Sequence, residues 1–297
     1  MSSWFEKLPR PQYASLQRIA IDQNWFQVYQ LRPTVFVIYE PYQCEEVLSY
    51  LIVGSQKALL IDTGMGIGNI SQVVNQLTTL PLIVINTHTH HDHIGDNWRF
   101  EKTLVGVQSD FSKKNYEELF NDAQEEIKDG MICFQFLPVE FDKNSYRIKP
   151  FEFQRYVTDR ECLNLGDDRR ILVIFTPGHT PDSISLLDIE NKLLFVGDIF
   201  YQGPIFLYRS ETNLTDYVNS LKVLNRLIDD YQVEMVVPAH NTPNVDPQLF
   251  KSSLKAITMI LTSQNKPNSI MNNLGNEYDC GEFSYVIKRN LLTNKFD

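Results

Sequence analysis

Four of the six histidines in this 297-residue chain lie within six consecutive positions, in the run His88-Thr89-His90-His91-Asp92-His93. Chance clustering is a poor explanation for such a window. The run follows an apolar segment at 82–86 that predicts a β-strand, so the imidazoles emerge from a strand end and the loop after it, where sites on sheet scaffolds are common. Neutral imidazole and carboxylate are usual ligands of catalytic zinc. The window favours a metal site over a histidine-rich surface turn.

The other two histidines and one aspartate also follow short apolar segments. His179 follows 171–175, Asp198 follows 193–196 in a Gly-Asp pair, and His240 follows 233–237. Taken alone, each of these residues is weak evidence for a functional site, because Gly-Asp is a common turn and a lone histidine after Pro-Gly is more often an ordinary loop residue. Together, every histidine except His91 lies at one kind of position, the end of a predicted strand.

Short β-rich segments alternate with amphipathic helices along the rest of the chain. Residue type and spacing predict strands at 26–29, 34–39, 47–53, 58–62, 82–86, 171–175, 184–188, 193–196, 233–237 and 283–288, and helices at 70–80, 115–127, 213–231 and 248–263. Two strand-rich halves with helices predict two sheets packed face to face with helices outside. Apart from the helix at 115–127, the range 98–165 is irregular and aromatic, which predicts a lid or loop region beside the site.

Composition excludes several kinds of protein. The 43% hydrophobic and 12% aromatic content supplies a core, and no apolar stretch approaches the ~20 residues of a membrane span. The net charge, 27 − 37 = −10, disfavours a nucleic-acid binder. Four scattered cysteines and the absence of an apolar leader segment in residues 1–12 indicate a cytoplasmic protein without disulfides. We expect a single domain over 1–297, in which 241–297 adds a helix and a strand.

The run His-x-His-x-Asp-His, followed in order by a distal His, Asp and His, resembles the signature of the metallo-β-lactamase superfamily. The resemblance covers about 26–240 and implies an α+β fold, an αββα sandwich of two mixed β-sheets with helices on the outer faces. It implies two zinc ions per chain, with iron or manganese as alternatives. The implied residues are His88, His90 and His179 for the first metal, Asp92, His93 and His240 for the second, Asp198 as a bridge, and Asp62 as an orienting residue. His91 would be a bystander.

Two adjacent divalent ions lower the pKa of a shared water toward neutrality and so supply a nucleophile for hydrolysis. Asp92 would also accept a hydrogen bond from that nucleophile. An aspartate at 198 resembles the thioesterase, lactonase and glyoxalase II branches, whereas β-lactamases proper carry cysteine there. Tyr201, three residues further on, resembles a lactonase tyrosine that hydrogen-bonds the substrate carbonyl. An ordinary core tyrosine explains it equally well.

The Asn-Leu-Gly-Asp segment at 164–167, the Pro-Gly-His-Thr segment and the Gly-Asp pair together resemble the acyl-CoA hydrolase branch. Basic residues in 141–160 and aromatic residues in 134–156 suggest a phosphate-docking and acyl-binding wall, or a solvated face over core aromatics. We expect a binuclear zinc hydrolase of a small-molecule thioester, ester or lactone, with no nucleic-acid or membrane partner, and we allow for a homodimer. The alternative is a mononuclear iron dioxygenase of the persulfide dioxygenase type, using His88, His179 and Asp198.

Overall fold

A computed structural model describes residues 5, 8, 10–112, 116–271 and 274–293 of the chain. The first half forms an eight-stranded sheet whose strands lie side by side in chain order. They are β1 (Gln17–Ile19), β2 (Gln27–Arg32), β3 (Val35–Tyr39), β4 (Leu48–Val53), β5 (Ala58–Ile61), β6 (Leu82–Ile85), β7 (Leu104–Val107) and β8 (Arg155–Val157). Pairing is antiparallel from β1 to β5 and parallel from β5 to β8, so this sheet is mixed.

The second half forms a five-stranded sheet and a smaller one. The five-stranded sheet contains β9 (Cys162–Asn164), β10 (Arg170–Phe175), β11 (Ile184–Asp188), β12 (Leu193–Gly197) and β14 (Met235–Pro238). The smaller sheet contains β13 (Pro204–Leu207), β15 (Ser269–Met271), β16 (Gly275–Asp279) and β17 (Ser284–Ile287). In the five-stranded sheet β14 runs parallel to β12 and the other pairs are antiparallel, so it too is mixed.

Six α-helices belong to the described residues: α1 (Ile70–Leu77), α2 (His91–Ile94), α3 (Tyr116–Glu126), α4 (Leu214–Asp230), α5 (Pro247–Leu261) and α6 (Arg289–Thr293). The longest, α4, starts where the Asn213 side chain accepts the backbone N–H groups of Thr215 and Asp216. These bonds satisfy donors that a helix start otherwise leaves without partners. None of these helices combines the length and hydrophobicity that a bilayer span requires.

Alternating residues on the central strands build the layers of the sandwich. On β10, Ile171 and Val173 pack between the two large sheets, while Leu172 and Ile174 pack against α4 and α5 on the other side. Helices α1 and α3 cover the outer face of the first sheet. The predicted αββα sandwich of two mixed sheets is confirmed.

The prediction of an irregular lid or loop region over 98–165 is wrong in its irregularity at both ends of that range, where strands form. Strands β7 and β8 extend the first sheet and β9 extends the second. β8 and β9 are three-residue edge strands and β7 has four residues, too few to show a pattern. The helix predicted at 115–127 is α3, and its predicted first residue lies outside the described part. The described part of 241–297 contains three strands and two helices rather than the predicted one of each.

The aromatic and basic residues of this middle region differ in their burial. Tyr146 and Phe151 are buried in the core between the first sheet and its helices. Phe134 and Tyr156 are 43% and 48% exposed. The interpretation as core aromatics therefore fits only part of the set, and a substrate wall stays a prediction.

Candidate metal centre

The polar residues singled out in the sequence meet where strands of both large sheets end. The loop after β6 carries His88 and His90, and α2 carries Asp92 and His93. The loops after β10, β12 and β14 carry His179, Asp198 and His240, respectively. All seven side chains are at most 12% exposed. Residues more than 100 positions apart therefore form one buried cluster.

Buried amides hold the histidine-rich loop in place. The Asn86 side chain donates to the His93 carbonyl at 2.7 Å, and the Asn97 side chain donates to that of Asn86 at 2.8 Å. Gly95 allows the close approach of a neighbouring loop, since a Cβ there would lie 2.1 Å from the backbone of Met65. The loop thus has its conformation set by hydrogen bonds and by one glycine.

A second glycine shapes the loop that carries His179. Gly178 has a φ of +140°, and a Cβ at this position would lie 2.3 Å from the Cα of Tyr217 in α4. The Thr212 hydroxyl donates to the His179 carbonyl at 3.3 Å. The Pro-Gly-His segment therefore packs directly on α4, which fixes where the imidazole points.

The first group of ligand atoms consists of three imidazole nitrogens. The Nδ1 atom of His90 lies 3.0 Å from Nε2 of His88 and 3.1 Å from Nε2 of His179. The other nitrogen of His90, Nε2, lies 3.1 Å from a carboxylate oxygen of Glu211. Because a carboxylate accepts, Nε2 carries the proton and the Nδ1 lone pair faces the group. These three nitrogens could hold one metal ion.

The second group is formed by Asp92, His93 and His240. The Nε2 atoms of His93 and His240 lie 3.2 and 3.4 Å from the Asp92 carboxylate. Their Nδ1 atoms donate outward, from His93 to the Asp62 carboxylate at 3.0 Å and from His240 to the Glu45 carbonyl at 2.7 Å. In both imidazoles Nε2 is therefore the nitrogen that faces the group and that a bound metal ion would contact. Asp62 makes the contact expected of an orienting residue, and that role stays a prediction.

Asp198 lies between the two groups. One carboxylate oxygen is 3.1 Å from Nε2 of His240 and 3.4 Å from Nε2 of His93. The other is 3.6 Å from Nε2 of His179 and 3.9 Å from Nε2 of His88. Each oxygen faces a different group, which is the arrangement that a bridging carboxylate needs.

Burial and mutual charge perturb these groups strongly. Burial lowers the pKa of His179 to about 3 and that of His88 well below its usual range. Burial acts in the same direction on His240, but the Asp198 carboxylate outweighs it and raises the pKa to about 9. Burial would raise the pKa of Asp198, yet the charges of His240 and His93 keep it well below its ordinary value. The carboxylates are thus ionised at neutral pH.

Some polar atoms of the cluster have no hydrogen-bond partner within it, and a bound metal ion would supply one. Among the described residues, Nε2 of His93 and an oxygen of Asp198 are buried without any hydrogen-bond partner. Buried polar atoms of this kind are rare and costly, and a bound cation satisfies lone pairs that face one point. The donor set of imidazole and carboxylate fits a divalent transition metal.

His91 differs from its neighbours in the run. It is buried, both its nitrogens are without hydrogen-bond partners within the described part of the chain, and it joins none of the ligand groups found there. Burial lowers its pKa to about 4, so the ring is neutral. Its placement agrees with the bystander position that the resemblance implies.

A cavity of about 290 Å³ opens beside the cluster. Tyr201, Phe206 and Tyr208 form an aromatic part of its lining, and Asp92 and Asp198 belong to the same surface. The Tyr201 hydroxyl accepts the backbone N–H of Phe206 at 3.4 Å, which leaves its own proton for an acceptor in the cavity. Burial raises the pKa of this phenol, so it stays protonated.

Sequence reasoning missed three residues that touch the site: Glu45, Arg209 and Glu211. Glu45 supplies the backbone carbonyl that accepts a hydrogen bond from His240, and it also lines the cavity. Arg209 lines the same cavity and pairs with Asp122 of α3 at 2.9 Å. Glu211 binds His90. They lie in turns and loops with no distinctive spacing, so no sequence signal identified them.

Comparisons with known proteins agree with the fold. The metallo-beta-lactamase superfamily model matches residues 43–240. The acyl-coenzyme A thioesterase MBLAC2 of Gallus gallus is 29% identical over 73% of this chain and 81% of its own. The Homo sapiens protein of the same name is 28% identical over 64% and 71%. A solved metallo-beta-lactamase superfamily protein from Sulfolobus tokodaii has a TM-score of 0.54 at 21% identity, covering 88% of this chain and 90% of that one.

An αββα sandwich with histidine and aspartate groups at the strand ends defines a class of metallo-hydrolases. Within that class, the chain belongs to the metallo-beta-lactamase superfamily. The resemblance read from the sequence is confirmed.

Proposed function

We propose that this chain is a binuclear metal-dependent hydrolase that cleaves acyl thioesters, with zinc as its metal. The observation that carries the proposal is the position of Asp198, whose two oxygens face separate three-residue groups. The names of the related thioesterases support the substrate class. A divalent pair held by these residues would supply Lewis acidity and would lower the pKa of a bound water to near neutrality.

The residues of the chain have distinct tasks in this proposal. His88, His90 and His179 would hold one ion, and Asp92, His93 and His240 would hold the other. Asp198 would contact both and set their separation. The neutral imidazoles leave the centre net positive, which favours the negative charge that develops on a carbonyl oxygen during acyl transfer.

Tyr201 and the cavity would position the substrate. The phenol stays protonated and can donate a hydrogen bond to a carbonyl oxygen in the cavity. Phe206 and Tyr208 offer apolar surface for the acyl chain next to this donor. The ester and lactone substrates expected from the sequence have the same carbonyl and belong in the same assays.

The test is metal content followed by thioester hydrolysis. Protein purified without added metal is analysed by elemental mass spectrometry and then assayed for thiol release from a series of acyl-CoA substrates. We expect about two zinc ions per chain and thiol release. About one iron per chain with persulfide-dependent oxygen uptake would instead establish the dioxygenase alternative and refute the hydrolase.

Neighbouring histidines provide a matched pair of variants. His90→Ala removes a nitrogen of the first group, and we expect lost metal and lost hydrolysis. His91→Ala removes an adjacent buried imidazole that belongs to no ligand group in the described residues, and we expect metal content to be retained. Equal metal loss in both variants would contradict the assignment of ligands.

A further inference from the structure

An arginine near the N-terminus reaches the turns beside His240. The Arg10 guanidinium donates to both oxygens of Glu46, at 2.8 and 2.6 Å, and to the side-chain oxygen of Asn241 at 2.9 Å. Glu46 and Asn241 belong to turns almost 200 positions apart in sequence. Arg10 therefore bridges two turns that meet only in the folded protein.

These two turns hold the imidazole of His240. The Glu45 carbonyl accepts its Nδ1–H at 2.7 Å, and Val47 pairs with His240 in an antiparallel β-bridge. The backbone N–H of Asn241 donates to the Glu46 carbonyl at 3.1 Å. The orientation of His240 thus depends on how the 45–47 segment lies against the 240–241 segment.

Both turns contain a residue in the left-handed region of backbone conformation. Glu46 has a φ of 47° and Asn241 a φ of 67°. Glutamate in this region is unfavourable and persists where surrounding contacts over-determine it, whereas asparagine tolerates the region. The two side chains that Arg10 binds belong to these same residues, so its hydrogen bonds act directly on both turns.

The carboxylate of Glu46 is deeply buried. Its side chain is 3% exposed, and Arg10 is the cation paired with it in the described part of the chain. The Tyr39 hydroxyl also donates to it at 2.6 Å, and the Tyr13 hydroxyl donates to the Asn241 carbonyl at 3.1 Å. Without Arg10, a buried carboxylate would keep a hydroxyl partner but lose its countercharge, so the 45–46 turn would shift toward water.

We propose that Arg10 is a positioning residue that holds the 45–46 turn against the 240–241 turn and thereby sets the affinity of the Asp92, His93 and His240 group for its metal ion. The inference rests on the proposed binuclear function. It concerns the second group alone, because the described contacts of Arg10 lead to His240 and not to the three histidines of the first group.

The test is a stepwise zinc titration of the metal-free full-length chain against a chromophoric chelator. In Arg10→Met we expect one of the two binding constants, that of the Asp92, His93 and His240 group, to fall by about 10-fold, the lower end of the range for losing a direct outer partner of a ligand, because Arg10 acts on His240 through two turns. The other constant should stay unchanged. Arg10→Lys keeps the charge but loses the bidentate contact, and we expect a smaller loss of the same constant.

Two further variants separate positioning from general destabilisation. Glu46→Gln should lower the same constant, and combining it with Arg10→Met should add little, because both remove one interaction. Arg169→Met breaks another buried pair, with Asp188 at 2.6 Å, at the end of β10 away from His179. We expect Arg169→Met to lower the melting temperature and leave both binding constants unchanged.

The outcomes distinguish this inference from the function on which it rests. A parent protein that binds two ions, with both constants unchanged in Arg10→Met and Arg10→Lys, overturns the role of Arg10 alone. A parent protein that binds a single ion overturns the binuclear function and the role of Arg10 together.

Discussion

Removal of the Glu211 carboxylate should weaken metal binding by the first group of histidines. Glu211 lies 3.1 Å from Nε2 of His90, and the two side chains are 16% and 12% exposed. Burial would raise the pKa of Glu211, but the hydrogen bond from His90 and the nearby charges lower it to about 2. The Glu211 carboxylate is therefore ionised and keeps the proton of His90 on Nε2. The lone pair of His90 Nδ1 is then available to bind a metal.

The magnitude follows from the kind of partner that is lost. The hydrogen bond is present without metal, so only its strengthening on metal binding counts, and losing an outer partner of a ligand typically costs about 10- to 100-fold in metal affinity. Glu211→Ala should therefore weaken the binding constant of the His88, His90 and His179 group by about 10- to 100-fold, or about 1.4–2.8 kcal/mol at about 1.4 kcal/mol per factor of ten. Glu211→Gln keeps an acceptor but loses the charge, so it should have a smaller effect. The second group should keep its constant.

Competition titration with zinc measures both constants. Ser210→Ala is the control, since its hydroxyl donates to the other oxygen of Glu211 at 3.1 Å in an exposed position, and we expect less than about a twofold change. Parent-like constants in Glu211→Ala would show that the carboxylate does not select the proton position on His90.

Three more outcomes are expected. Tyr201→Phe should retain its metal and lower kcat on the order of 100-fold, and an unchanged kcat would make the phenol a scaffold residue. In metal-free protein, the raised pKa of His240, about 9, gives stability that is complete below about pH 6.5 and lost by pH 9. The lowered pKa of His179, about 3, makes the stability fall as the pH drops below 6.5. The melting temperature of the protein in chelator should therefore have a maximum near pH 6.5, and a melting temperature that does not change with pH would contradict this. Gly178→Ala should lower the free energy of unfolding, measured with denaturant, by on the order of 3 kcal/mol. Gly130→Ala should lower it by about 1 kcal/mol, because φ is also positive there but a Cβ meets nothing within 4 Å. Equal losses in the two variants would rule out the contact of position 178 with Tyr217.

The long strands and the metal cluster could be predicted from the sequence because the patterns that indicate them lie within short segments. Strands such as β5 and β10 are apolar runs, and their predicted bounds agree with the structure within a residue or two. The six histidines are few, and five of them join the ligand groups at strand ends. A rare residue type at a repeated kind of position carries information that needs no knowledge of tertiary contacts.

The residues that support the ligands could not be predicted because their partners lie far away in the sequence. Glu211 acts on a histidine 121 positions earlier, and Arg10 binds Asn241 across 231 positions. The edge strands β8 and β9 exist because a neighbouring strand pairs with them. The contacts of Glu211 and Arg10 arise from packing of the two halves, and those of the edge strands arise from pairing within one sheet. In each case the local sequence is compatible with an ordinary loop.

The ligands are divided between the two large sheets, and this division has a consequence for the order of folding. His93 and His179 are separated by 179 − 93 = 86 positions, and each group draws on both halves of the chain. Bringing such distant residues together has an entropic cost that grows with the length of the intervening chain. An ion held by these residues would reach full affinity only after the sheets have packed, so metal uptake would be a late event in maturation. Chelation should then loosen the junction of the two sheets before it unfolds either one.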